Sequence, residues 1–390
     1  MAVDEVMPGY KRTEVGVIPQ DWEVTSIGAS EPLVTSGPRG WAKHYSSQGS
    51  PMIRITNLSR KSIRLDVRNL RYVTVPTLSA EGTRTSLQDG DVLLSITADI
   101  GIVGFISSDL QKPSFVNQHI ALVRFSDSKI DSRFIAYYLA SEASQAVFRE
   151  ITDAGAKAGI NLPTVRALPL ILPATKQEQQ AISNCIAETQ FLIEKLENIL
   201  VKKRDLKQAA MQELLRPKVD WRSTRLGDVL TIKHGRSQTA VQSSAGSIPI
   251  LASGGQIGWS THYLYDKPSV LIGRKGTIDK PRYVDQPFWT VDTLFYSEIF
   301  PNHSAKYLYY QFCLIPWRDH NEGSGVPSLN ASTIENIEIC IPALEEQKRF
   351  AVILTDMDAE ITALEARLAK YRDIHQGMMQ QLLTGAIRLI

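Results

Sequence analysis

Residues 176–215 read KQEQQAISNCIAETQFLIEKLENILVKKRDLKQAAMQELL, and residues 344–383 read LEEQKRFAVILTDMDAEITALEARLAKYRDIHQGMMQQLL. At an offset of 168 residues, Glu178-Gln179 falls on Glu346-Gln347 and the MQELL ending falls on MQQLL. Both copies carry apolar residues at 4,3 spacing, the period of a coiled-coil seam. In the first copy the seam runs through Ile186, Ile193, Leu196, Leu200 and Leu214. In the second it runs through Leu354, Ile361, Leu364, Leu368 and Leu382, with His375 on the same stripe as a structural residue. Neither copy has an internal proline, and both are rich in strong helix formers. Each therefore predicts one helix about 60 Å long. Such a helix cannot bury its stripe alone, so the two copies are expected to bury each other as an antiparallel pair.

The repeat is larger than the helix. Asp21-Trp22 and Asp220-Trp221 open two similar stretches, DWEVTSIG and DWRSTRLG, with Gly28 matching Gly227. Each half then closes alike. Asn161 precedes Leu168-Pro169-Leu170-Ile171-Leu172-Pro173, and Asn330 precedes Ile337-Glu338-Ile339-Cys340-Ile341-Pro342. Between these marks lie short apolar runs such as 92–96, 120–123, 248–251 and 269–272, separated by Gly, Pro, Asn and Asp, a strand-like punctuation. Short helices are expected near Arg133–Phe148 and Ala305–Cys313. The order is domain, helix, domain, helix. The expected fold is α+β: two mixed, mostly β domains separated by two long helices forming an antiparallel coiled coil, with a pseudo-twofold internal repeat. The expected boundaries are 1–174 for the first domain, 175–216 for the central helix, 217–343 for the second domain and 344–385 for the C-terminal helix. Paired antiparallel, the helices would hold the domains at opposite ends of a rigid bar.

At 390 residues and 43% hydrophobic content, the chain has the length and composition of a two- or three-domain soluble protein. Cys185, Cys313 and Cys340 have neither ligand spacing nor even pairing, which fits a reducing cytoplasm. No apolar run is long enough for a membrane span, and the N-terminal stretch lacks the apolar segment of a signal peptide.

Net charge is only +2, but it is unevenly placed. Residues 39–84 hold nine basic residues against Asp66 and Glu81, and residues 233–282 hold seven against Asp266 and Asp279. Lys and Arg in such density supply salt-sensitive attraction to phosphates, and Arg, Asn and Gln can pair with base edges. Local charge, polarity and glycine-containing turns select Arg39, Lys43, Arg54, Asn57, Arg60, Lys61, Arg84, Asn117, Gln118, His119 and Lys157 in the first domain as DNA-binding candidates. In the second they select Arg236, Gln238, Gln256, His262, Arg274, Lys275, Lys280 and Arg282.

No catalytic residue is assigned. The chain contains no GxxxxGK[ST] phosphate loop, no GxSxG elbow and no HExxH. It also lacks the tetrapeptide of amino-methyltransferases and a glycine-rich strand–loop for S-adenosylmethionine. The seven histidines are scattered without ligand spacing, so no metal site is expected. These features indicate a binding protein that lends its specificity to other subunits.

Over essentially its full length the chain resembles the specificity (S) subunit of type I restriction-modification systems. The resemblance is carried by Tyr10-Lys11-Arg12-Thr13-Glu14-Val15-Gly16-Val17-Ile18-Pro19-Gln20-Asp21-Trp22, by Gly90-Asp91-Val92-Leu93, by Gly273-Arg274-Lys275-Gly276-Thr277 and by Pro287-Phe288-Trp289. It is carried also by the duplicated Glu-Gln entry to each helix, and by Lys203-Arg204-Asp205 and Tyr371-Arg372-Asp373 ahead of the MQxLL ends. It implies that the two domains are target recognition domains, each reading one half of a bipartite, asymmetric double-stranded DNA sequence. The helices would act as a ruler and as the docking surface for two methyltransferase (M) subunits, which methylate adenine N6. A 60 Å bar spans at most about 17 base pairs. Restriction/translocase (R) subunits would cut DNA at the expense of ATP, in host defence against foreign DNA. No cofactor is expected on this chain; S-adenosylmethionine, ATP and Mg are expected on the partners. The second domain is shorter than the first, so the two sets of reading loops do not align position by position. A coiled-coil scaffold whose domains bind protein or glycan is the alternative.

Overall fold

The computed structural model describes residues 7–74, 80–153 and 159–389. The chain divides into two compact units. The first comprises residues 1–196 and 367–390, the second residues 197–366. Lys157 and most of its glycine-containing loop lie outside the described residues.

The first unit begins with a hairpin of β1 (Tyr10–Thr13) and β2 (Gly16–Pro19), followed by β3 (Glu23–Ser26). Its central sheet has the order β4-β11-β8-β9, from β4 (Leu33–Ser36), β8 (Val92–Ser95), β9 (Val103–Phe105) and β11 (Ile120–Arg124). A smaller sheet, β10-β6-β7-β5, combines β5 (Tyr45–Ser46), β6 (Ser50–Ile53), β7 (Arg71–Val73) and β10 (Phe115–Val116). Helices α2 (Ser132–Ala140), α3 (Glu142–Asp153) and α4 (Leu162–Ala167) pack on the side of the central sheet, and α1 (Ala80–Thr85) lies between β4 and β10. Strand β12 (Pro169–Leu172) then pairs antiparallel with β3 and leads into α5 (Lys176–Leu214).

The second unit repeats this plan. Strand β13 (Arg222–Arg225) is followed by β14 (Leu230–His234), β15 (Ile248–Ala252), β16 (Gly255–Ser260) and β17 (Ser269–Gly273). Then come β18 (Arg282–Val284), β19 (Trp289–Thr290) and β20 (Leu294–Ile299). Helices α6 (Ala305–Leu314) and α7 (Ala331–Glu335), strand β21 (Glu338–Ile341) and α8 (Leu344–Leu382) complete it. Its sheets run β14-β20-β17-β18 and β16-β15-β19, and β21 pairs with β13 as β12 does with β3. In both units one parallel pairing links a small-sheet strand to the strand entering the next loop: Ile53 with Val116, and Leu251 with Thr290.

The duplicated motifs have the same structural cause in each copy. Asn161 and Asn330 are N-cap residues whose side chains accept hydrogen bonds from the Thr164 and Ser332 amides, satisfying helix-start donors. Gly28 and Gly227 sit where these short helices press closest, a Cβ there lying 3.1 Å from the carbonyl oxygens of Arg166 and Glu335. The glutamine of each Glu-Gln pair ties three segments together. Gln179 accepts from the Asp131 amide (2.8 Å) and donates to the carbonyls of Lys129 and Pro173. Gln347 accepts from the Ser304 amide (3.0 Å) and donates to Pro342 (2.9 Å). Asp131 and Ser304 are themselves the N-caps of α2 and α6, so each glutamine pins a helix start to a helix entry.

The long helices pack within each unit as an antiparallel pair. In the first, Ile182, Ile186, Leu382 and Leu383 join the core under the central sheet, and Thr189 Oγ1 meets His375 Nδ1 at 2.9 Å. In the second, Met211, Leu215, Phe350 and Leu354 join the other core. There Lys203 pairs with Glu360 and Lys207 with Asp358, partner numbers running in opposite directions. Of the expected seam residues, Ile186, Ile193, Leu196, Leu200, Leu354, Ile361, Leu368 and Leu382 are buried, and Leu214 and Leu364 are half-buried. Each fully buried one is worth about 1.5–3 kcal/mol over its exposed state. Among the described residues no helix is long and apolar enough to cross a membrane.

Candidate nucleic-acid interface

In both units the loops leaving one end of the central sheet converge through backbone hydrogen bonds. In the first, the Gly37 amide donates to the Asn117 carbonyl and the Asn117 amide to Ile53. The Ile96 amide donates to His119, and the Ile160 amide to Ile96. This gathers Arg54, Asn117, Gln118 and His119. Arg84 joins them, its guanidinium donating to the Ser36 carbonyl (3.0 Å) and Thr35 Oγ1. Thr97 Oγ1 lies 2.8 Å from His119 Nδ1, which orients the ring. Gly37 has no alternative here: a Cβ would come within 2.0 Å of the Val116 carbonyl oxygen. Arg39 and Lys43 follow directly and are exposed, with no side-chain hydrogen bond or ion pair among the described residues.

The second unit builds the same crossing. A Cβ on Gly235 would likewise come within 2.0 Å of the Val291 carbonyl oxygen, the Arg236 amide donates to Thr290, and the Val291 amide to Leu251. The Arg274 amide donates to Thr293, Leu329 to Arg274, and Gly276 to Pro327. Arg236, Arg274, Lys275 and Asp292 thus share one surface with the 323–328 loop. Arg282 locks the β15–β16 turn to it, donating to the carbonyls of Ala252 and Ser253 (3.4 and 3.1 Å). Lys275 is exposed beside Gly276, whose φ of 84° turns the loop back. Gln238 is half-buried in the loop after Arg236. Gln256, His262 and Lys280 are exposed on the hairpin and on adjoining loops.

Several first-unit candidates are placed otherwise than the sequence suggested. Asn57 is 2% exposed; its amide accepts from the Arg54 amide and donates to the Asp66 carbonyl, so it shapes a turn and presents no edge. Arg60 is held by Asp99, by Gln145 and by the Ile100 carbonyl. With Lys61 it lines a groove of about 1110 Å³ beside α2, α3 and the end of α8, not the Asn117 crossing. The basic excess is also smaller than the local count. Arg64 pairs with Glu194 and Asp109, residues far away in sequence, and Arg68 pairs with Asp66, holding that carboxyl at about 2. Thr97 and Ser253 belong to the loop crossings and were not singled out. A signal beside Thr97 appears only in three dimensions: Ala98 has a φ of 60°, strained for a residue with a Cβ. Among the described residues no group of three or more His, Cys, Asp or Glu could hold a metal.

The architecture is thus a duplicated α+β fold, each unit closing on a pair of antiparallel helix segments. The family model described as the type I restriction modification DNA specificity domain matches residues 40–200 and 218–370, one match per repeat. The chain belongs to this family, that of type I restriction-modification specificity subunits. The putative type I restriction enzyme MjaX specificity subunit of Methanocaldococcus jannaschii is 23% identical, covering 97% of each chain. The solved S subunit of the M. genitalium type I system superimposes with a TM-score of 0.65 at 16% identity, covering 93% of this chain and 96% of that one. A chain from a structure of type I system complex assembly and conformational transition superimposes at 0.52, with 15% identity, covering 95% of this chain and 99% of that one.

Proposed function

We propose that each unit reads one half of a bipartite, asymmetric duplex target and that the chain directs adenine-N6 methylation by two M subunits. R subunits joining that complex would translocate and cut DNA with ATP. The observation that carries this reading is the pair of loop crossings. One backbone scaffold, fixed by the Gly37 and Gly235 approaches, presents different side chains in each unit: Asn117, Gln118 and His119 in one, Arg274, Lys275 and Asp292 in the other. A common frame with divergent edges suits two unlike half-sites, because base identity is read by side chains while the frame sets register.

In this reading the chain is non-catalytic, works in the cytoplasm and binds no cofactor. Methyl transfer requires the adenine to be flipped out, and S-adenosylmethionine, ATP and Mg belong to the M and R subunits. The long helices set the gap and dock M. The test is co-expression with the M subunit encoded beside it, followed by sequencing host DNA for N6-methyladenine. The expected result is a split motif of two short blocks around a fixed run of unspecified bases. Methylation that is identical with and without this chain would overturn the proposal.

A further inference from the structure

The small sheet of the second unit ends on β16, whose outer edge meets, among the described residues, a short segment and no strand: Gln242 bridges Ser260 and the Ser243 amide donates to the Trp259 carbonyl (2.9 Å). Ile257 is the extra residue of a bulge opposite the Ile250–Leu251 step, and Trp259 follows two residues on, opposite Pro249. Both are strongly exposed, at 48% and 46%, and Tyr263 just beyond is exposed at 54%. Large apolar side chains grouped this way on a soluble domain mark a contact surface.

The first unit shows what is special about this strand. By pairing order, β7 is its counterpart, and Tyr72 faces Pro51 there as Trp259 faces Pro249 here. An aromatic residue opposite a proline therefore recurs at one position of both small sheets. In the first unit β5 covers the outer edge of β7, and Tyr72 is half-buried. In the second, among the described residues, only the Gln242–Ser243 segment and no strand lies along β16, and Trp259 stands out.

The hairpin is fixed to the proposed reading surface. Arg282 holds its turn at Ala252 and Ser253, and a Cβ on Gly276 would touch Ser253 Oγ at 3.7 Å. The face thus begins two residues from a turn flanked by Arg274, Lys275 and Arg282. An apolar strip bordered by cations and amides matches a DNA groove wall, where thymine methyl groups lie between phosphates. We infer that Ile257 and Trp259 of β16 are specificity-determining residues that read thymine 5-methyl groups in the second half-site. The inference rests on the proposed DNA-reading function. Any adenine methylated in a half-site has a thymine opposite it, so a methyl is available to read.

The test uses the chain assembled with its M subunit and a duplex carrying the motif found by methylation sequencing. Each thymine of the second half-site is replaced in turn by uracil, which removes only the methyl. With the wild-type chain at least one replacement should weaken binding about three- to fivefold, the scale of one buried methyl group. With Ile257→Ala/Trp259→Ala that penalty should vanish; Trp259→Phe should restore part of it. Uracil penalties equal in wild type and double variant would overturn the inference, leaving the DNA-reading function intact. A wild-type complex with no preference for the motif would instead overturn that function and this inference together.

Discussion

Arg388 closes the first unit, and its removal should loosen that unit selectively. The guanidinium donates to both carboxylate oxygens of Asp21 (2.9 and 3.0 Å) and to both of Glu178, and lies over the Trp22 ring at 5.9 Å. The two acids are unequal. The Glu178 side chain is 1% exposed, whereas that of Asp21 is 51% exposed. Asp21 therefore contributes at most about 0.5 kcal/mol, as exposed pairs do. Removing one partner of a buried pair costs about 3–5 kcal/mol. Because Arg388 is itself 31% exposed, water can enter the vacated space, so the lower part of that range applies. Arg388→Ala should cost about 3 kcal/mol in all. For a unit of this size that is a melting shift of about 6–12 °C.

Calorimetry should show one of two transitions moving, and hydrogen exchange should show faster amides in β3, β12 and the first turns of α5, with the second unit unchanged. Adding Glu178→Gln should recover about half the loss, since a neutral amide tolerates the site better than an unpaired carboxylate. An Arg388→Ala chain that melts and exchanges like wild type would refute the reasoning. The second unit offers an internal comparison. There Lys218 plays the same part, 3.2 Å from Glu346 and over Trp221 at 5.7 Å, but that glutamate is 29% exposed. Lys218→Ala should cost only about 1 kcal/mol. Acid should affect the clasp as well. Hydrogen bonding to Arg388 holds the Asp21 carboxyl below its usual 3.8, so its stabilisation is complete above that value and is lost as pH falls through the depressed one.

Gln179→Ala and Gln347→Ala should destabilise their own units by similar amounts, about 1–3 kcal/mol, because each leaves one buried helix-start amide unpaired; urea midpoints of the single variants measure it. His375, half-buried beside Thr189 Oγ1, has its pKa lowered by partial burial, so the folded state resists protonation. First-unit stability should be undiminished well above pH 6.5, fall as pH drops below it and level off under the depressed value. His375→Gln should flatten that dependence in thermal melts at stepped pH. Lys275→Glu in the M-bound complex should weaken binding to all duplexes and lower the slope of log affinity against log salt by about 1 or more. Inserting one heptad after both Leu200 and Leu368 should widen the unread gap by about three base pairs with both half-sites unchanged, as methylation sequencing would reveal.

The helices and the repeat were legible because their signals are local. A heptad, an Asn N-cap, a Glu-Gln entry and a proline stop each act within a few residues. The strand runs at 92–96, 120–123, 248–251 and 269–272 also emerged where expected. The candidate site was only partly legible, because its composition depends on contacts distant in sequence. Charge density over 39–84 counted Arg64 as available, but its partner Glu194 lies on α5, 130 residues away. Arg60 likewise meets Asp99 and Gln145. Asn57 has the chemistry of a base reader, but the turn around it uses its whole amide. Ile257 and Trp259 were invisible for the opposite reason. Apolar residues in a strand are expected to face a core, and the bulge at Ile257 and the sparse cover along the edge of β16 appear only in the structure.

That difference bears on how one duplicated frame can present two unlike surfaces. The elements that match between the units make the frame: Asn161 and Asn330, Gln179 and Gln347, Gly37 and Gly235, Trp22 and Trp221. The asparagines, glutamines and glycines sit at backbone crossings or helix entries and the tryptophans in the two cores, where substitution costs stability. The elements that differ are the small sheet's outer edge and the loops at the crossings, where substitution costs little stability and changes only what is presented. Having the Gln242–Ser243 segment in place of a strand like β5 leaves the second core intact, since Phe288, Leu251 and Tyr296 remain packed beneath the sheet. It also exposes an apolar strand beside basic loops. Frame and reading surface are therefore carried by separate residues, so the edges of each small sheet can vary without unfolding the domain that holds them.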